Sequence, residues 1–171
     1  MTAAAHIRMA QPSDLPAIVA IYNSTIASRM VTADLEPVTV AQKQAWFEQH
    51  APDRWPIWVG VAGHTVAGWV SLSPFHPRCA YRITAELSVY VDANHRRQGW
   101  GRRLVTHAVH AAPGLGIRRI AGLIFGHNQP SLSLFDDMGF ERWGYLPGVT
   151  ELDGSERDVV IVGKRLQSTL P

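Results

Sequence analysis

Arg96-Arg97-Gln98-Gly99-Trp100-Gly101 stands between two stretches of opposite character. Before it, Ala85-Glu86-Leu87-Ser88-Val89-Tyr90-Val91 reads as a strand. After it, Arg102-Arg103-Leu104-Val105-Thr106-His107-Ala108-Val109 has helical spacing. Two glycines one residue apart thus sit where a strand gives way to a helix, with arginines on both sides. A helix N-terminus carries unpaired N–H groups and a partial positive charge. Glycine lets a bulky anion approach the backbone closely. Strand, basic glycine loop and helix together read as a cradle for a diphosphate. The plainer alternative is an ordinary strand-to-helix turn with exposed arginines, because Gly-x-Gly alone is a weak signal.

Outward from this junction the pattern alternates between strand and helix. Upstream, His6–Ala10 reads as a strand, and Ser13 and Asp14 open a helix that runs to about Ser24. Thr25–Val38 has no period and reads as a long loop or broken helix beside a site. Thr39-Val40-Ala41-Gln42 is a capping-box pattern that opens a second helix to about His50. Strands over 57–62 and 65–73 flank a Gly63-His64 turn, and Pro74–Arg78 is a loop. Downstream, the helix after the glycines runs to about Ala112. A strand follows over 119–125, then a short helix from Pro130-Ser131 to Met138. Phe140–Leu146 and Asp158–Leu166 form a last strand pair through the Asp153-Gly154 turn. The order β-α-α-β-β-β-α-β-α-β-β predicts an α/β fold with helices on both faces of a sheet.

The chain has 171 residues, 46% of them apolar and 18% charged, which suits a single domain with a sizeable core. We expect residues 1–5 to lack fixed structure. Net charge is only +2 and the arginines are scattered except at 96–97, 102–103 and 118–119, so no nucleic-acid partner is expected. No apolar run approaches the ~20 residues that span a bilayer, and no signal peptide is seen. The one cysteine, Cys79, suits a reducing compartment, so the expected location is the cytoplasm. His95, His107 and His110 have no carboxylate joining them, so no metal is expected.

Two motifs then narrow the reading. Arg96-Arg97-Gln98-Gly99-Trp100-Gly101 resembles the pyrophosphate signature of the GCN5-related N-acetyltransferase (GNAT) superfamily, Arg/Gln-x-x-Gly-x-Gly/Ala after the fourth strand. Asn128-Gln129-Pro130-Ser131, then Leu134-Phe135, then Gly139-Phe140, resembles its second signature. Ile21-Tyr22-Asn23, Ser73-Pro74-Phe75, Arg78-x-x-Tyr81 and Glu86-x-Ser88-Val89-Tyr90-Val91 resemble the phosphinothricin and methionine sulfoximine N-acetyltransferases within it. The resemblance covers essentially the whole chain. It implies the GNAT fold: a mixed, mostly antiparallel sheet of about seven strands flanked by about four helices. It implies acetyl-CoA as co-substrate, a small amino acid or analogue as acceptor, direct attack without an acyl-enzyme, and a homodimer. Acetylation of a peptide N-terminus or lysine, or CoA binding without catalysis, are the alternatives.

Residue roles carry over as follows. Val89, Tyr90 and Val91 would lie along pantetheine, with the backbone of Val89 and Val91 pairing to it like an added strand. Arg96, Arg97, Gln98, Gly99, Trp100, Gly101 and Arg102 would hold the pyrophosphate, Trp100 packing beside it. Asn128 and Ser131 would border the pantetheine arm, although Asn128 also reads as a plain helix cap. Glu86 is the expected base. A carboxylate midway along a central strand is costly unless it is paired or working; the alternative is a structural Glu held by an arginine. Val89 N–H would donate to the oxyanion. Phe135 occupies the position where many relatives carry a Tyr or His proton donor, so that role does not carry over. Arg78 and Tyr81 would bind a carboxylate or phosphinate, which suits an amino-acid acceptor with an acidic side group, and Tyr22 and Asn23 could reach the same cleft.

Overall fold

The structure is a computed structural model that describes residues 5–167. The expectation of disorder at residues 1–5 falls outside those residues except at Ala5, whose carbonyl accepts a hydrogen bond from Arg103 at 3.2 Å. The elements run β1 (His6–Met9), α1 (Leu15–Ile26), α2 (Val40–Gln49), β2 (Ile57–Ala62), β3 (Thr65–Pro74) and β4 (Thr84–Val91). They continue with α3 (Trp100–Ala111), β5 (Arg119–Phe125), α4 (Gln129–Asp137), β6 (Glu141–Leu152) and β7 (Ser155–Arg165). This is the order expected from the sequence. The last hairpin is longer than its apolar pattern indicated, because β6 runs past Leu146 through a register irregularity to the Asp153-Gly154 turn.

The seven strands form one sheet in the order β1-β2-β3-β4-β5-β7-β6. Neighbours are antiparallel except β4 and β5, which are parallel. Alternation along each strand sorts the side chains into two cores. On one face Val70, Leu72, Ala85, Leu87, Ile120 and Ile124 pack with Leu104, Val105 and Ala108 of α3 and Phe135 of α4. On the other, Val59, Val61 and Trp69 pack with Ile18 and Ile21 of α1 and with Trp46 and Phe47 of α2.

The helices begin where local chemistry places them. The Thr39 side chain accepts from the Gln42 N–H while Gln42 bonds back to the Thr39 N–H, closing the expected capping box. Arg8 grips Asp14 through two bonds of 2.7 and 2.9 Å, fastening β1 to the turn that leads into α1. Thr25–Val38 is irregular beyond Ile26, as expected. The segment is nonetheless clasped: Asn23 bonds both the N–H and the carbonyl of Val38, and Arg29 pairs with Asp153 at 2.7 Å.

The glycine junction is anchored through Trp100. Its indole is buried against Gly60 of β2, where an added methyl group would lie 2.6 Å from the ring. The Arg103 guanidinium covers the ring at 4.2 Å. Gly60→Ala should therefore lower the unfolding free energy by about 1–3 kcal/mol in urea denaturation. A change below about 0.5 kcal/mol would show that the indole is not confined there.

Candidate active site

The site begins where two strands separate. β4 pairs with β3 from Ala85 to Val91 but with β5 only through Thr84, Ala85 and Glu86. Beyond Glu86 the strands part, because β5 stays paired with β7 along Arg119–Phe125 while β4 stays with β3. The backbone groups of β4 on that side lose their partner strand. The Leu87 carbonyl points toward Gly122 of β5, lying 3.8 Å from where a Cβ would stand. Alternation turns the backbone of Val89 and Val91 the same way. The opening is a cleft lined by Glu86, Val89, Tyr90, Leu123, Asn128, Ser131 and Phe135.

Tyr90 lines the cleft without turning its backbone to it. Its carbonyl lies against Gly68 of β3, so its backbone is turned away from the cleft. Its ring stacks on Trp69 at 4.5 Å and meets Tyr22 edge-on at 5.2 Å, on the α1–α2 side of the sheet. It lines the cleft expected to hold pantetheine and forms a wall shared by two cavities.

At the far end of β4 the glycine loop has the geometry of an anion cradle. Gly99 caps α3 in the left-handed region (φ +81°), and Arg97 also has positive φ, +58°. The first intrahelical bond runs from Arg103 N–H to Gly99 carbonyl, at 3.0 Å, so the N–H groups of Trp100, Gly101 and Arg102 have no helical acceptor. Arg96, Arg97, Gln98 and Arg102 are exposed around them, Arg102 pairing with Asp137 at 3.0 Å. Gly101 keeps α3 close to its neighbours: an added Cβ would lie 3.2 Å from Leu134 and 3.9 Å from Val91. The indole of Trp100 is buried in the core, so the expectation that it packs beside a cofactor is corrected; only its backbone amide belongs to the cradle.

Asn128 is 5% exposed and caps α4, accepting from the Ser131 N–H at 3.2 Å. Phe135 packs edge-on against Phe140 at 4.8 Å and offers the cleft no proton. Arg78 and Tyr81 lie on the loop between β3 and β4, at the end where Ser73 pairs with Glu86. Both are exposed, Tyr81 resting on His76 at 4.5 Å, and neither bonds to Glu86. Asn23 is engaged with Val38 and does not reach the cleft.

Glu86 is half-buried and has no ion-pair or hydrogen-bond partner among the described residues. The structural alternative, a glutamate held by an arginine, is absent there. Burial pushes its carboxyl above the ordinary range.

Sequence reasoning missed a second cavity of about 160 Å³ between the sheet and the α1–α2 pair. Ser71, Ser73, Ser88, Trp69 and Tyr90 form its floor, and Tyr22, Lys43 and Trp46 its cover. It adjoins the cleft at Ser88 and Tyr90. The signal was present: Trp69, Ser71 and Ser73 alternate on one strand face, and Glu86, Ser88 and Tyr90 on the strand beside it. Serines on a face covered by helices are unusual unless they meet a ligand. The Tyr22 hydroxyl bonds Thr32 and Asp34, and burial followed by Asp34 pushes its phenol up to about 12.

The acetyltransferase (GNAT) family model matches residues 18–140. The chain belongs to the GNAT acetyltransferase family. YwnH of Bacillus subtilis is 49% identical over 161 residues, 94% of this chain and 98% of its own. The L-methionine sulfoximine/L-methionine sulfone acetyltransferase of Pseudomonas aeruginosa is 33% identical over 166 residues, 96% of each chain. The crystal structure of a GNAT phosphinothricin acetyltransferase from Sinorhizobium meliloti in complex with AcCoA superposes with a TM-score of 0.89 at 28% identity, over 97% of this chain and 89% of that one. These relatives bear out both the GNAT fold and the branch read from the sequence.

Glu86 also predicts a stability effect in this GNAT protein. Its folded pKa is raised, so its favourable contribution is present below the unfolded carboxylate value and lost as pH rises through the folded one. Glu86→Gln should therefore raise the melting temperature at pH 8 relative to wild type. The difference should shrink toward pH 4. A melting temperature that falls at pH 8 would mean that the carboxylate is stabilised by a partner.

Proposed function

We propose that this protein transfers acetyl from acetyl-CoA to the amino group of a small amino acid or analogue, of the phosphinothricin or methionine sulfoximine type. The observation that carries this reading is the parting of β4 from β5 directly beside an unpaired, half-buried Glu86. Acetyl-CoA supplies the acetyl group already activated as a thioester. The open edge of β4 suits pantetheine, with Val89 and Val91 turned toward it. The free amides of residues 100–102 and the arginines around Gly99 suit its pyrophosphate. Asn128 and Ser131 border the same arm.

Glu86 takes a proton from the acceptor ammonium, directly or through water. An α-amino group has a pKa of about 7.7–8.0, so a carboxylate pushed upward by burial is an adequate base. The neutral amine then attacks the thioester carbonyl, whose oxygen accepts from the Val89 N–H. Arg78 and Tyr81 at the rim bind the acceptor's α-carboxylate. Phe135 leaves the departing sulfur without a donor from α4; a thiol pKa of about 8.5 makes thiolate a tolerable leaving group. The small volume of the serine-lined cavity favours an amino acid over a peptide N-terminus or a protein lysine.

The protein acts as a single catalytic domain and a homodimer in the cytoplasm. The exposed Trp143, Tyr145, Leu146 and Val149 on the edge strand β6 support a partner copy, and the exposed free thiol of Cys79 suits a reducing compartment. Among the described residues no helix is long and apolar enough to cross a membrane, and no cluster of three metal-ligating side chains is found.

Thiol release with a panel of amino acids, peptides and other amines tests the reading. Glu86→Gln should lower kcat by about 10²–10⁴-fold while acetyl-CoA affinity by calorimetry stays at the wild-type value. Unchanged turnover would remove Glu86 from the base role, and no heat with acetyl-CoA would remove the reading altogether. Arg78→Ala should raise KM by about tenfold for α-amino acids and leave amines without a carboxylate unaffected. An equal effect on both would exclude that contact.

A further inference from the structure

Lys43 lies on α2 and reaches into the serine-lined cavity. Its ammonium nitrogen is 4.8 Å from the Tyr22 ring centre and 5.4 Å from that of Trp46. Among the described residues it has no carboxylate partner and no hydrogen bond. Asp34, on the neighbouring segment, is engaged by the Tyr22 hydroxyl. Aromatic faces hold an ammonium in place without neutralising it.

Ser71 and Ser88 form the floor of the same cavity, and their hydroxyls have no partner among the described residues. Ser71 is 2% exposed. Among the described residues no enclosed side-chain polar atom lacks a partner, so this hydroxyl is not sealed in the core but opens on the cavity. An unneutralised cation thus stands at one cavity with an unmatched hydroxyl, which is nearly buried at a cost in desolvation. One ligand with a negative charge and several acceptor oxygens answers both.

We infer that this cavity is the subsite for an anionic side-chain group of the acceptor. The Lys43 ammonium meets a phosphinate or carboxylate, and the Ser71 and Ser88 hydroxyls donate to its oxygens. The assignment rests on the amino-acid N-acetyltransferase reading given above. Dimensions agree with it. Ser88 follows Glu86 by two residues on the same strand face, a distance of about 7 Å. An acceptor with its amine at Glu86 and its α-carboxylate at the Arg78 loop therefore sends a side chain of three or four atoms across Ser88 toward Lys43. The cavity, about 160 Å³, has room for such a headgroup. Lys43 thereby separates acceptors with charged side chains, such as phosphinothricin, from neutral ones of similar length, such as methionine sulfone.

Lys43→Met tests this, because it keeps the aliphatic stem against Tyr22 and Trp46 and removes the charge. KM for phosphinothricin should rise by about tenfold or more, with KM for methionine sulfone changed less than about twofold and kcat preserved for both. Lys43→Arg should recover most of the loss. Equal increases for the two acceptors, or no increase for either, would overturn the assignment. Should the wild-type protein release no thiol with either acceptor, the N-acetyltransferase reading fails by itself, and binding then decides the subsite. Trp46 and Trp69 line the cavity, so their fluorescence reports occupancy. A saturable change with phosphinothricin that weakens about tenfold or more in Lys43→Met supports the subsite. No change in wild type, or equal affinity in the variant, overturns it.

Discussion

The architecture turns on one short pairing. β4 and β5 share a ladder only from Thr84 to Glu86, while each holds a long antiparallel ladder to its outer neighbour. The long ladders decide the direction of each strand, and the sheet divides where the short one ends. Backbone N–H and carbonyl groups want partners, and burying them without any is costly. The split therefore has to stay open to solvent or be filled by a ligand that bonds as a strand does. The site is arranged around that opening: Glu86 stands at its apex, the glycine loop lies at the far end of β4, and α4 borders it with Asn128 and Phe135.

The two faces of β4 do different work. One face, Ala85 and Leu87, is buried under α3 and keeps the strand rigid. The other, Glu86, Ser88 and Tyr90, carries polar side chains beneath α1 and α2. A one-residue slip in register would exchange the two sets. The long β3–β4 ladder guards against that, and the parting of β5 spares it. The glycine loop depends on the same rigidity at longer range, since Trp100 ties the start of α3 to β2 across the sheet face.

The two charged side chains that line the cavities have no ion-pair partner among the described residues. Glu86 sits half-buried with no arginine on it, and Lys43 lies among aromatic rings with no carboxylate on it. Elsewhere among the described residues Arg8 is paired with Asp14 and Arg29 with Asp153. Those pairs fasten segments together. Under the proposed function, an acceptor would supply the complement of the unpaired ones.

Element order and type were legible because they rest on local chemistry. The Thr39–Gln42 capping box, the alternation of β4 and the Gly63-His64 turn each act within a few residues. The two glycine-bearing motifs placed the start of α3 and the α4 cap for the same reason, since a left-handed Gly99 and an Asn128 cap are local devices. Contacts between distant segments were not legible. Nothing in Arg96–Gly101 says that Trp100 turns inward onto Gly60, or that Tyr90 presents its backbone to β3 rather than to the cleft. Lys43 and Ser71 lie far apart along the chain and meet only because α2 folds over the face that β3 and β4 share. Sequence by itself determined the elements, the motifs and the family. Tertiary structure alone decided which side chains face one another across a cavity, because that depends on packing between elements and not on any rule internal to one of them.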